Sequence, residues 1–243
     1  MLGDMKKFFS LLLSLSLSAP VLGVPTILTA ENSGIQVTSS SATFAIDCTG
    51  AELIVVGGAG ISSLPNVTGV TFNGDALTLI DGATTGRAKM YALNSPDQGS
   101  FNVVFNVIAA ASDWGVAAVC IDGSSLVTPT EAGNAASNIG TVATVDVTTV
   151  ADNDLVIDMV SAIDTTITVG ASQTQLEYIT GSFGAIAMSV EGPISPAGAT
   201  TMSWTDLTAG TPWAIAAAGI RGVDPNNGVE ADGGVILTGI KLN

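Results

Sequence analysis

The stretch AKMYALNSPDQGSFNVVFNVIAAASDWGVAAVCIDG, residues 88–123, decides the fold class of this chain. Within it, residues 100–108 alternate apolar side chains on one face with Asn102 and Asn106 on the other. A period of two is what a half-buried strand requires. The run 115–121 is apolar at every position, which fits a central strand covered on both faces. We therefore interpret the stretch as three strands joined by tight connections.

The rest of the chain has the same character. Residues 67–72 and 75–80 flank Asn73-Gly74, the preferred dipeptide of a two-residue type I′ hairpin. Short runs rich in Gly, Thr, Ser, Val and Ala alternate with turn residues, and no helical period appears after residue 23. We count roughly fourteen strands and no convincing repeat of fixed period. The prediction is an all-β, antiparallel β-sandwich.

Two glycine-rich or polar segments are interpreted as connections. Residues 57–60, GGAG, follow a buried strand and are predicted to be a turn. They lack the third glycine and the following helix that a dinucleotide-binding loop needs. Residues 128–138 are predicted to be a polar connection between the two halves of the chain.

Residues 115–118 and 214–219, rich in Ala and Gly, predict two central strands packed closely in one core.

The first 23 residues have the composition of a signal peptide. Lys6 and Lys7 precede an apolar run at 8–17, and a small-residue cleavage site ends at Gly23. The alternative is an uncleaved, buried N-terminal segment, as in virion proteins. We expect a leader helix at 1–23, a β-sandwich domain at 24–222, and an acidic loop with a C-terminal strand at 223–243. That strand could pair with the domain's own edge or with a neighbouring subunit.

The charge balance excludes some partners. Without the leader, the 21 acids and 6 bases of the chain become 20 and 4, so the net charge is 4 − 20 = −16. Binding to nucleic acid or to an anionic membrane needs clustered Lys and Arg, so neither is expected, and no membrane insertion is expected after leader removal. An acidic surface suits an extracellular protein in salty water, where charge repulsion is screened.

The two cysteines of the chain, Cys48 and Cys120, each stand at the end of a predicted strand. In an oxidising compartment they could form a disulfide, which would stabilise the fold by roughly 4 kcal/mol on the chain-entropy model. The alternative is two separate buried thiols that pack as small hydrophobes. The sequence leaves both open.

Three segments resemble a diffuse group of uncharacterised bacterial and phage β-sandwich proteins: VTGVTFNGDALTLI at 67–80, MYALNSPDQGSFNVVF at 90–105 and TTMSWTDLTAGTPWAIAAAGIRG at 200–222. The resemblance implies a jelly-roll-like sandwich. Members occur in surface and virion contexts, and the shared positions are turn and core residues, so it implies no catalytic residue. Phe72 departs from the usual Tyr, and the two cysteines are not part of the pattern.

The residue types argue against catalysis. The chain has no histidine, which excludes His-based triads and His-containing metal sites. Two cysteines exclude a four-thiolate zinc site within one chain. The acids could in principle supply a glycosidase pair, but no clustered carboxylate motif stands on a predicted strand. We expect a protein that is not an enzyme.

Calcium is the one cofactor that the sequence suggests. Asp224, Asn226, Glu230 and Asp232 place hard oxygen ligands at nearly alternate positions, although the loop misses the EF-hand pattern. Residues 152–154, DND, are a poorer second candidate. The alternatives are a solvated acidic linker and an Asx turn that opens a strand.

A sugar-stacking surface is the other candidate site. Exposed aromatic side chains bind glycans, and Trp114 and Tyr91 are the candidates, with Trp114 expected to be exposed at a strand entrance. Trp204 and Trp213 are expected to cap the core.

The sequence thus predicts a non-enzymatic, secreted or cell-surface structural protein that assembles as a homo-oligomer or within a larger surface array. Alternatives are a phage virion decoration or tail protein, and a carbohydrate-binding module.

Overall fold

The computed structural model describes residues 23–108 and 113–223. These residues contain no helix and form seventeen strands in four antiparallel sheets, so the predicted all-β fold class is confirmed. The predicted leader helix and the acidic C-terminal segment lie outside the described residues. Within the described part of the chain, no helix is long and apolar enough to span a membrane.

The strands fall into two consecutive groups. The first group is β1 (Thr26–Gln36), β2 (Ser41–Asp47), β3 (Leu53–Gly60), β4 (Val67–Phe72), β5 (Asp75–Ala76), β6 (Thr78–Thr84), β7 (Ala88–Asn94), β8 (Ser100–Val107) and β9 (Trp114–Asp122). The second is β10 (Asn134–Ile139), β11 (Ala143–Thr148), β12 (Asp154–Ala162), β13 (Thr168–Val169), β14 (Gln173–Gly181), β15 (Gly184–Ile194), β16 (Ala199–Thr205) and β17 (Pro212–Ile220).

The two groups have the same strand order. The first forms the sheets β1-β9-β3-β7-β6 and β2-β8-β4-β5, and the second forms β10-β17-β12-β15-β14 and β11-β16-β13. Each strand of the second group takes the place of a first-group strand in chain order, with only β5 lacking a counterpart. The chain therefore contains the same β-sandwich-like arrangement twice. No fixed repeat appears in the sequence because the copies differ in loop length.

The four sheets stack as four layers with three hydrophobic cores. A central core lies between the two five-stranded sheets and includes Leu53, Val119, Ile157 and Ala218. An outer core lies under each of the smaller sheets, one in each half. We call the five-stranded sheets inner and the smaller sheets outer. Because both faces of an inner sheet are covered, its strands are apolar at nearly every position.

Strand β9 shows how this works. Its side chains alternate between the central core, which takes Ala117 and Val119, and the first outer core, which takes Val116 and Ala118. The expectation of a strand covered on both faces is confirmed. Its counterpart β17 is divided in the same way between the central and second outer cores.

The GGAG segment is not a turn, and the prediction of one there is wrong. Residues 57–60 continue β3 through the middle of an inner sheet. A Cβ on Gly58 would lie 2.3 Å from the ring of Phe105, and one on Gly57 would lie 2.9 Å from Met159. The glycines are needed because large side chains from neighbouring layers approach the backbone at these positions.

Two other details depart from the sequence interpretation. The segment 128–138 is not only a connection, because β10 begins at Asn134 and pairs with β17. The hairpin at Asn73-Gly74 is present, with positive φ at both residues, but the returning strand leaves the outer sheet after Ala76 and continues as β6 in the inner sheet. Such divisions and two-residue strands raise the strand count above fourteen.

Candidate functional site

Trp114 is buried, and the prediction that it is exposed is wrong. Its side chain has no solvent exposure, and its indole N–H donates to the carbonyl oxygen of Ser39 at 3.2 Å. Its ring centroid lies 5.8 Å from that of Phe105. Trp114 is the first residue of β9, and the turn after β1 covers this strand entrance, which the sequence pattern did not indicate. The side chain fills the first outer core.

Tyr91 reaches the same core. Its ring meets that of Phe105 edge-to-face at 5.8 Å, the side chain is 9% exposed, and burial raises the pKa of its hydroxyl. The structure thus brings Trp114 and Tyr91 together around one phenylalanine, but inside the protein. Neither offers a ring face to a sugar. Trp204 and Trp213 lie in the second outer core, as expected.

Cys48 and Cys120 are joined in a disulfide, with their Cα atoms 5.3 Å apart. This separation falls within the ordinary range for such bridges. Cys48 follows β2 of the outer sheet, whereas Cys120 belongs to β9 of the inner sheet. The bridge therefore fastens the two layers of the first half to each other, and both residues are fully buried.

The proposed calcium ligands Asp224, Asn226, Glu230 and Asp232 lie outside the described residues. The second candidate, residues 152–154, consists of a turn at 152–153 and Asp154, the first residue of β12. Asp154 accepts hydrogen bonds from the backbone N–H groups of Ala151 at 2.9 Å and Gly222 at 3.2 Å, and Asn153 has positive φ. These bonds give the segment a structural role, but they are not the expected Asx turn, because Asp154 accepts from a residue three positions before it and from one far along the chain. Residues 23–108 and 113–223 contain no group of three metal-ligating side chains.

Asp158 forms a buried polar centre that sequence reasoning missed. Its Oδ1 accepts from the backbone N–H of Ser189 at 3.1 Å and from its hydroxyl at 2.9 Å. Its Oδ2 accepts from the indole N–H of Trp204 at 3.0 Å and from the side-chain amide of Gln173 at 3.3 Å. Burial raises the pKa of Asp158 to about 7, against the lowering effect of these donors.

This centre links the layers of the second half. Asp158 and Ser189 belong to the inner sheet, and Trp204 belongs to β16 of the outer sheet. The available signal was an aspartate on the face of β12 that Val156 and Val160 also occupy, where an apolar residue would be expected. Every carboxylate oxygen is occupied by protein donors, so the arrangement stabilises the fold and leaves no free acceptor for a substrate.

Two acidic side chains, Glu131 and Asp154, lie together near the last described residues. Burial and the neighbouring Asp154 carboxylate raise the pKa of Glu131, while the N–H of Val150 and the guanidinium of Arg221 oppose that rise. Glu131 and Arg221 form an ion pair at 3.4 Å, in which the carboxylate side chain is 6% exposed. The ion pair and the bond from Gly222 to Asp154 hold the residues that follow β17 against Glu131 and the start of β12.

One cleft opens between the two halves. It has a volume of about 370 Å³, which is within the range of ligand-binding pockets. One wall is the first part of β6 with Ala92 and Asn94 of β7, and the other is the segment 129–132 that leads into β10. The side-chain oxygen of Asn94 is buried without a hydrogen-bond partner, although its amide nitrogen donates to Leu126.

The two ends of the described chain lie together at one pole, which we call the proximal pole. The backbone N–H of Val223 contacts the carbonyl oxygens of Gly23 at 3.2 Å and Gly123 at 3.3 Å. Strand β9 ends here at Asp122, and β17 ends here at Ile220. Segments 1–22 and 224–243 are therefore attached to the same pole.

The opposite, distal pole carries most of the exposed apolar side chains. Strand β9 begins there, and the hairpin between β14 and β15 lies beside it, because a Cβ on Gly181 would be 3.2 Å from the Asp113 carboxylate. Nine large apolar side chains are exposed in the described residues, and five are at turns or strand ends of this pole. These five are Val37, Ile108, Ile139, Val142 and Phe183.

No protein-family model and no curated protein matches this chain.

Proposed function

We propose that the protein is a non-enzymatic building block of a secreted or cell-surface assembly, attached through its proximal pole and self-associating through its distal pole. The observation that carries the proposal is the unequal distribution of exposed apolar side chains between the poles. Ile108 is 67% exposed and Phe183 is 72% exposed. Burying such side chains in a contact between copies would stabilise the contact by about 1.5–3 kcal/mol each.

The internal chemistry supports a structural role. Asp158 and Asp154 are buried acids whose carboxylate oxygens accept hydrogen bonds that hold layers or strands together. The acidic composition, with a net charge of −15 for the whole chain, supports solubility in a saline exterior.

We further propose that each half is a jelly roll. In that fold the first, eighth, third and sixth strands pair in one sheet and the second, seventh, fourth and fifth in the other. The orders β1-β9-β3-β7 and β2-β8-β4-β5 agree with this pattern when β6 is treated as an added edge strand. The second half agrees in the same way, apart from the missing counterpart of β5.

A phage virion component is the second candidate, favoured by the same strand orders because jelly rolls are common in viral capsids. A virion role predicts that the N-terminal segment is retained. Mass spectrometry of the native protein should then find peptides covering residues 8–22, whereas a secreted building block should begin near residue 24.

The assembly proposal is tested with one substitution at each pole. We expect light scattering to show oligomers of the purified protein at micromolar to millimolar concentration. Ile108→Ser should weaken self-association by about tenfold or more, because it removes a side chain worth at least about 1.4 kcal/mol in the contact. The matched control is Val127→Ser, which changes a side chain that is 71% exposed and should have no effect. Val127 is proximal because the hydroxyl of the next residue, Thr128, accepts from Arg221.

Two results would contradict this function. One is a strictly monomeric protein at every concentration, with and without calcium. The other is an equal loss of association in Ile108→Ser and Val127→Ser, which would mean that polarity between the poles does not govern assembly.

A further inference from the structure

The two inner sheets meet along two lateral seams. At one seam, β1 of the first half lies beside β14 of the second. At the other, β6 of the first half lies beside β10 of the second. Since β1 corresponds to β10 and β6 to β14 in the repeated strand order, the seams are counterparts. The two halves are therefore related like the subunits of a two-fold dimer, and their seams can be compared directly.

The seam between β1 and β14 is closed. Strand β1 has eleven residues, and Ile27, Ala30 and Ile35 pack against the central core. Across the seam, the side-chain amide of Asn32 donates to the Glu177 carboxylate. Both apolar packing and a polar bond join the two edges here.

The seam between β6 and β10 is open over part of its length. At this seam the strand that corresponds to β1 is β10, which has only six residues. The edges come together where a Cβ on Gly82 would lie 2.4 Å from the carbonyl oxygen of Gly133. Toward the proximal pole they separate around the 370 Å³ cleft, whose walls include Leu79, Ile80 and Ala132.

We propose that this cleft binds the C-terminal segment of the same chain, residues 235–242, as an added strand. The segment reads VILTGIKL, in which five of eight residues are aliphatic and the other three are Thr238, Gly239 and Lys241. It thus has the composition that a partly apolar groove beside a sheet edge accepts.

The chain is long enough and leaves the fold at the right place. Eleven residues, 224–234, separate the last described residue from the segment and can span up to about 36 Å when extended. Val223 contacts Gly123, and the cleft residue Asn94 bonds to Leu126, three residues further along. Three residues reach at most about 11 Å, so the entrance to the cleft lies well within range.

The walls fit such an occupant. Ile80 and Ala92 belong to the margin of the central core, so an aliphatic side chain in the cleft would extend that core. Leu79 is 43% exposed and would be covered. Strands β6 and β10 are both terminal in their sheets, so their outer backbone groups have no ladder partner among the described strands. The buried oxygen of Asn94 would accept a hydrogen bond from a backbone N–H.

Hydrogen exchange of the full chain tests the proposal. The double substitution Ile236→Ser with Ile240→Ser should speed amide exchange at residues 78–80 and 129–132 by about tenfold or more, because the added strand no longer covers them. Residues 176–179 of the closed seam should be unchanged. The control pair Asp224→Asn with Glu230→Gln alters the same tail without its aliphatic residues and should leave both seams unchanged. Equal exchange in the native chain and the aliphatic variant would overturn the proposal.

A cross-link identifies the source of the strand. With Leu79→Cys and Ile236→Cys in one chain, oxidation at low concentration should give a cross-linked monomer. A product that is only dimeric, or no product, would overturn binding within the same chain. Light scattering on these samples reports assembly separately, so a failure of the distal-pole function and a failure of this inference give different results.

Discussion

The two halves of the molecule share a strand order but fasten their layers by different chemistry. In the first half a disulfide joins Cys48 of the outer layer to Cys120 of the inner layer, beside the aromatic cluster around Phe105. In the second half the corresponding layers are joined by the hydrogen bond from Trp204 to Asp158. Alternating burial therefore fixes this arrangement, while the fastening between layers can be covalent or polar.

The largest expected effect comes from removing the covalent fastening. Replacing both cysteines, Cys48→Ala with Cys120→Ala, frees a loop closed across 72 residues and should lower the free energy of unfolding by about 4 kcal/mol. Chemical denaturation measures the change. A loss below about 1 kcal/mol would mean that the first half does not depend on its bridge.

Removing the polar fastening should have the next largest effect. Asp158→Ala leaves the indole N–H of Trp204 without an acceptor in the core and removes one of the two acceptors of the Gln173 amide, which should cost about 3 kcal/mol. The control Asp146→Ala removes one exposed hydrogen bond to Thr201 and should cost less than about 1 kcal/mol. Equal effects of the two substitutions would contradict the role given to Asp158.

The comparison also predicts a pH dependence of stability that comes from the polar fastening of the second half. The pKa of Asp158 rises from 3.8 to about 7 on folding, so between these values the folded state holds a proton that the unfolded state has released. Its contribution to stability is full below pH 4 and is lost as the pH rises toward 7, by at most about 1.4 kcal/mol per pH unit.

Denaturation at pH 5 and pH 6 measures this slope. Asp158→Asn, which cannot ionise, should lack this component of the slope, and Asp146→Asn should retain it. The same slope in native protein and Asp158→Asn would contradict the assignment.

The sequence predicted what local pattern controls. Strands β4, β9 and β12 and the Asn73-Gly74 hairpin follow from period-two alternation, apolar runs and turn chemistry. These signals depend on a few neighbouring residues, so they can be recognised without knowledge of the fold.

What the sequence did not predict depends on which layers meet. The turn assigned to Gly57 and Gly58 failed because those glycines accommodate Met159 and Phe105 from other layers. Trp114 was placed outside because the turn that covers it is 75 residues away from it in the chain. The role of Asp158 depends on Trp204, which lies on a different sheet. The repeated strand order is a property of how the strands pair, and it leaves no fixed spacing of residues in the sequence.

Segment-resolved hydrogen exchange of the two fastening variants tests the central claim, that two like halves are secured independently around one shared core. Loss of the disulfide should speed exchange in the first outer sheet, β2, β8 and β4, and leave β11 and β16 unchanged. Asp158→Ala should do the reverse. A uniform change in both outer sheets from either variant would contradict the account.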